Sequence, residues 1–88
     1  MRNIKLTGRE ASVVRAIGFA DGLLGSEIQE QTHMDPEDVT DTLNSLLSAG
    51  FAESVPYRDL VSLAEMPQTT FELNPAYAHQ LRAALQRR

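Results

Sequence analysis

The 88-residue chain contains no cysteine. That absence excludes disulfide staples, thiolate nucleophiles and cysteine-ligated zinc, so a small domain must be held together by packing alone. Long apolar runs are also missing. The longest spans only a few residues, far short of the roughly 20 that a membrane-crossing helix requires. The opening stretch, "MRNIKLTGRE", has no apolar segment behind its basic residues, so no secretory signal is expected and a cytoplasmic setting follows as the expectation. At 42% hydrophobic and 23% charged residues, the composition is that of an ordinary soluble globular domain.

The third shortage is of positive charge, and it is local. The basic residues are Arg2, Lys5, Arg9, Arg15, Arg58, Arg82, Arg87 and Arg88, with none between Ala16 and Tyr57. That same stretch holds Asp21, Glu27, Glu30, Asp35, Glu37, Asp38, Asp41 and Glu53, a local charge of −8 within a chain of net charge −4. Lys and Arg contacts to phosphate supply most non-specific affinity for DNA, so the middle of the chain is poorly equipped to lie on a phosphate backbone. A solvated acidic surface accounts for the same pattern equally well. The cations at the two ends would merge into one basic patch if the termini meet. Arg87 and Arg88 are equally explained as favourable charges at a helix C-terminus.

Catalytic patterns are lacking too. Ser26, Ser45 and Ser48 have no nucleophile elbow around them, no glycine-rich loop resembles a phosphate cradle, and His79 has no partner nearby in sequence. His33, Asp35, Glu37 and Asp38 lie close together, but their spacing fits no established metal loop, and helix capping accounts for the carboxylates. The expectation is a protein that is not an enzyme, with no cofactor, no metal and no evident small-molecule ligand.

What is present is a clear succession of elements. Thr7-Gly8-Arg9-Glu10 fits a capping box, and Val13, Val14, Ile17 and Ala20 follow at helical spacing, which predicts a first helix from Gly8 to about Ala20. Asp21-Gly22 and Gly25 mark a turn. Leu23-Leu24 between them are too apolar for a free loop and suit a short extended segment on the core. Ile4 and Leu6 alternate with polar neighbours, as an N-terminal strand or as residues packed on the first helix. Ser26 suits the N-cap of a short second helix, Glu27 to Thr32, with Ile28 facing inward. In the third helix Asp35 serves as N-cap, Pro36 occupies the first helical position, and Glu37 and Asp38 fall in the first turn, where the helix dipole favours acids. Val39, Leu43, Leu46 and Leu47 form its apolar stripe, and Gly50 ends it in a left-handed conformation. Phe51 to Val55 and Thr69 to Leu73 read as paired strands joined by a long connection between Pro56 and Pro67. Asn74-Pro75 then opens a C-terminal helix carrying Tyr77, Leu81, Ala84 and Leu85 to about Gln86.

Helix, short extended segment, helix, helix, hairpin, helix is a single α+β domain over residues 1–88. In that order "GSEIQEQTHMDPEDVTDTLNSLLSAGF" and "FELNPAYAHQL" resemble the winged helix-turn-helix of MarR-like and ArsR-like transcriptional regulators. The resemblance implies a fold of three N-terminal helices, a β-hairpin wing and a C-terminal helix. It also implies a third helix that lies in the major groove of DNA. Carried onto this chain, the outward positions of that helix are Glu37, Thr40, Asp41, Thr42, Asn44, Ser45 and Ser48. Asp41 falls about where such regulators place Arg or Lys. Gln29 stands where the family has a small residue, and His33 where its turn has Gly, which suggests a relaxed crossing of the second and third helices.

Two modes of action follow. In the first, Glu37, Asp41 and Asn44 on the third helix, with Leu60, Val61 and Leu63 in the wing, contact a protein partner or a second copy of the chain. In the second, a small regulator reads DNA through Thr40, Asn44, Ser45 and Arg58. Charge favours the first. The segment "DLVSLAEM" is too apolar for a solvated loop, so it either covers the core, extends the sheet or forms a contact surface.

Overall fold

The computed structural model describes residues 4–19 and 21–86. Four helices, α1 (Gly8–Ile17), α2 (Gly25–Thr32), α3 (Pro36–Ala49) and α4 (Ala78–Gln86), surround a three-stranded antiparallel sheet of β1 (Leu23–Leu24), β2 (Ala52–Val55) and β3 (Thr70–Leu73). The fold is α+β. Strand order is β1-β3-β2, so the last strand in sequence is central and β2 is an edge.

The helix ends follow local chemistry. The Thr7 hydroxyl accepts from the Glu10 N–H at 3.1 Å while the Glu10 carboxylate accepts from the Thr7 N–H at 2.9 Å, the reciprocal box anticipated above. α1 stops at Ile17, earlier than anticipated, because Gly18 turns to φ 72°; Ala20 lies outside the described residues. The second helix begins one residue before Ser26 can cap it. Glu27 reaches back instead, its carboxylate accepting from the Leu24 N–H at 3.0 Å, so Ser26 is not the cap. α2 ends at His33 in the left-handed region, φ 59°, the conformation a glycine usually supplies at such a turn. α3 ends at Gly50, φ 82°, as its sequence requires. Asp35 occupies the N-cap position, but its carboxylate makes no capping bond.

The sheet alternates as a half-buried sheet should. Ala52, Ser54, Phe71 and Leu73 face inward, while Glu53 and Val55 face out. Register pairs Ser54 with Phe71, Glu53 with Glu72 and Val55 with Thr70, and on the other side Leu24 with Thr70. Val13, Val14 and Ile17 of α1, Ile28 of α2, Val39, Leu43 and Leu46 of α3, Phe71 of β3 and Leu81 of α4 form one core. Each such side chain contributes about 1.5–3 kcal/mol by leaving water. Ile4 and Leu6 pack half-buried on this core without forming a strand.

The connection from β2 to β3 determines the shape of the candidate surface. It is not a projecting hairpin tip. Val61 and Met66 are buried in the core, and a 3-10 turn, Met66–Gln68, leads into β3. Met66 lies directly against the start of α2, where only a glycine fits: a Cβ on Gly25 would collide with the Met66 carbonyl and sulfur. Beyond β3 the Asn74 amide joins two elements, donating to the Gly50 carbonyl at 2.8 Å and accepting from the Ala76 N–H at 3.0 Å. A 3-10 turn, Pro75–Tyr77, precedes α4, and Tyr77 meets Phe51 edge-to-face at 5.1 Å.

Candidate functional site

The residues anticipated for function fall into three groups. Glu37, Asp41 and Ser45 are exposed on α3, as expected of its outer face. Asp41 and Ser45 border a shallow depression completed by Thr7, Gly8, Arg9 and Glu10 at the start of α1. Leu60 and Leu63 are exposed in the connection between β2 and β3, at 56% and 47%.

The second group is corrected by burial. Thr40 and Thr42 do not point outward: they are buried, and their hydroxyls donate to the helix's own carbonyls of Pro36 and Asp38 at 2.8 and 2.7 Å. Neither hydroxyl is available to a base or a phosphate. Val61 belongs to the core rather than to a contact surface. Asn44, assigned above to both modes of action, is half-buried and occupied. Its Nδ2 donates to the Val61 carbonyl at 2.9 Å, and its Oδ1 accepts from the Val61 N–H at 2.8 Å. An amide side chain thus closes a two-bond bracket on the backbone of one residue, satisfying a donor and an acceptor that the fold-back would otherwise leave unpaired. Asn44 is the residue that holds the β2–β3 connection to α3.

The third group is the cations. Arg58 is the single cation between Ala52 and Leu73, and its Nη1 donates to Glu65 Oε2 at 2.8 Å. The Arg58 Nε is buried with no hydrogen-bond partner. Its backbone is fixed as well, the N–H donating to the buried Ser54 hydroxyl at 2.8 Å, which itself donates to the Pro56 carbonyl at 2.9 Å. Glu65 is held by a local box with Ser62: the Ser62 N–H donates to Glu65 Oε1 at 3.0 Å, and the Glu65 N–H donates to the Ser62 hydroxyl at 3.2 Å. Those Ser62 bonds, and then the Arg58 charge, hold the Glu65 carboxyl below the usual glutamate range. Elsewhere Arg9 pairs with Asp38 at 3.4 Å, Arg15 donates to the Leu85 carbonyl at 3.1 Å, and Arg82 stacks over the Phe19 ring at 4.5 Å. Arg2, Arg87 and Arg88 lie outside the described residues.

Two exposed residues at the end of β2 and just beyond it were not singled out by the sequence. Val55 is 54% exposed and Tyr57 is 78% exposed, although the Tyr57 ring is not free. Its hydroxyl donates to Asp59 Oδ1 at 2.6 Å. That hydrogen bond, with the charges of Asp59 and Glu53, raises the phenol above its ordinary value. Tyr57, Asp59 and Leu60 line a groove beside β2, together with Leu47 and Ser48 of α3 and Glu53 of β2. The only advance signal was an aromatic placed directly after Pro56 in an otherwise polar stretch.

Among the described residues, no group of three His, Asp or Glu side chains is gathered as metal ligands, and no helix is long and apolar enough to cross a membrane. The chain matches no family model, and neither curated proteins nor solved structures give a match.

Proposed function

We propose that the chain is a winged-helix binding module that acts through protein contacts rather than by reading duplex DNA, and that it is not an enzyme. The order of elements and the β1-β3-β2 sheet are compatible with a winged layout, in which residues 52–73 are the wing. The observation that carries the preference is the engagement of Arg58. It is the sole cation of α2, α3 and the wing, and its guanidinium is held by Glu65. Without it, a duplex approaching α3 meets Glu37 and Asp41 with no counter-charge from the wing.

The remaining surface has the make-up of a protein interface. Val55, Tyr57, Leu60 and Leu63 place large apolar side chains in water within nine residues of one another, beside carboxylates that would face a basic partner. Asp41 is the acid on α3 that neither capping nor an ion pair explains. The competing mode, DNA reading, retains Ser45 and Ser48 but loses Thr40 to burial, Asn44 to Val61 and Arg58 to Glu65. Titration of labelled random duplex DNA against salt separates the two, since a duplex reader shows affinity that falls steeply as counterions are added.

A further inference from the structure

The groove beside β2 combines features that together select one kind of occupant. Leu47 and Leu60 are among its apolar lining residues, and the carboxylates of Glu53 and Asp59 line it as well. The Tyr57 ring is presented to solvent while tethered through its hydroxyl, so little side-chain freedom remains to be lost on binding. Arg58 also lines the groove, with its charge directed to Glu65. Glu53 adds a second argument. It faces Glu72 directly across the β2–β3 ladder, and among the described residues neither carboxylate has an ion-pair partner. Like charges opposed in this way weaken a sheet, so an incoming cation would relieve a repulsion that the free protein carries.

Resting on the protein-contact reading above, we propose that this groove receives a segment of a protein partner through one Lys or Arg side chain flanked by apolar residues. The cation lies over the Tyr57 ring between Glu53 and Asp59, and the flanking residues rest on Leu47 and Leu60. An acidic or phosphorylated segment is repelled by the same two carboxylates.

The test uses three synthetic peptides of one frame, acetyl-Leu-X-Leu-Val-amide with X as Arg, Gln or Glu, titrated into the isotope-labelled full chain at low salt. The Arg peptide is expected to shift the amides of Glu53, Tyr57, Asp59 and Leu60, to bind about tenfold more tightly than the Gln peptide, and to outcompete the Glu peptide altogether. In the Glu53→Gln, Asp59→Asn double variant, whose fold the same amide spectrum checks, the Arg peptide is expected to lose most of its advantage over the Gln peptide, keeping only the part that the Tyr57 ring supplies. Equal binding of all three peptides to the unaltered chain, or no binding at all, overturns the proposal. Shifts confined to the surroundings of Glu37 and Asp41 overturn it while leaving the protein-contact reading in place. A dimer in sedimentation that Tyr57→Ala abolishes also overturns it, because the groove then belongs to a second copy. Duplex binding in the salt titration overturns the underlying reading instead.

Discussion

The Asn44 side chain brackets the backbone N–H and C=O of Val61 with two hydrogen bonds, across 17 residues of sequence. This contact makes the wing part of the core. With Val61 and Met66 buried, the connection after β2 is a packed cover, and only Tyr57, Leu60 and Leu63 of its large apolar side chains remain in water. Replacing Asn44 with Ala leaves a donor and an acceptor unpaired in a partly buried place, and is expected to lower stability by about 2 kcal/mol. Asn44→Asp keeps the acceptor for the Val61 N–H but sets a second carboxylate oxygen against the Val61 carbonyl, and is expected to cost at least as much at neutral pH. Urea unfolding measures both, and hydrogen exchange at the Val61 amide should quicken in Asn44→Ala before global unfolding does. Unchanged exchange would mean that Asn44 does not hold the wing.

The start of α2 is the tightest backbone approach in the fold. Gly25→Ala sets a methyl group against the Met66 carbonyl and sulfur, and should destabilise the protein by about 3 kcal/mol. Gly8→Ala is the control, since nothing lies within 4 Å of the added carbon. It is expected to be neutral or slightly stabilising. Similar thermal midpoints for the two variants would argue against the α2–Met66 contact.

His33 holds φ 59° with an ordinary side chain. His33→Gly should raise stability by about 1 kcal/mol, and His33→Val should lower it, because a left-handed conformation is costly for an L residue and most so for a β-branched one. Chemical denaturation of the pair measures the sign directly. Loss of stability in His33→Gly would contradict the strained turn.

The Ser62–Glu65–Arg58 arrangement has a pH signature. The folded-state Glu65 carboxyl titrates below its unfolded value, so its stabilising contribution is fully present above the ordinary glutamate range and is lost as pH falls through the depressed value. The stability difference between the unaltered chain and Glu65→Gln should therefore shrink on acidification from pH 7 toward pH 3. A difference that stays constant would remove the carboxylate from the wing's support.

The third helix was readable because its signals are local. Pro36 at the first turn, Val39, Leu43 and Leu46 on one face and Gly50 past the end depend on neighbours within a turn or two. The strands were readable to within a residue for the same reason, through alternation and turn residues. The errors share a different cause. Asn44 looks like a free polar position until the path of residues 56–69 brings Val61 beside it. Thr40 and Thr42 flank the apolar stripe closely enough to be covered when the other elements pack against α3. Ser26 is not the cap because the chain enters α2 two residues earlier, at Gly25, and Glu27 reaches back to the Leu24 N–H. In each case the deciding partner comes from packing or chain path, which periodicity does not encode. The candidate surface was therefore half legible. Glu37, Asp41, Leu60 and Leu63 were visible, whereas the tethered Tyr57 and the groove it lines required the folded wing.

As proposed above, α3 and the residues after β2 form a protein-contact surface without the charge to hold a duplex. The most direct test is fluorescence anisotropy of a labelled random duplex titrated with the full chain, from low salt upward. The expected result is no binding at micromolar protein even at the lowest salt, and no change as salt is added. A measurable affinity whose logarithm falls linearly with the logarithm of salt, with a slope of roughly three or more, would show several phosphates neutralised and would contradict the account.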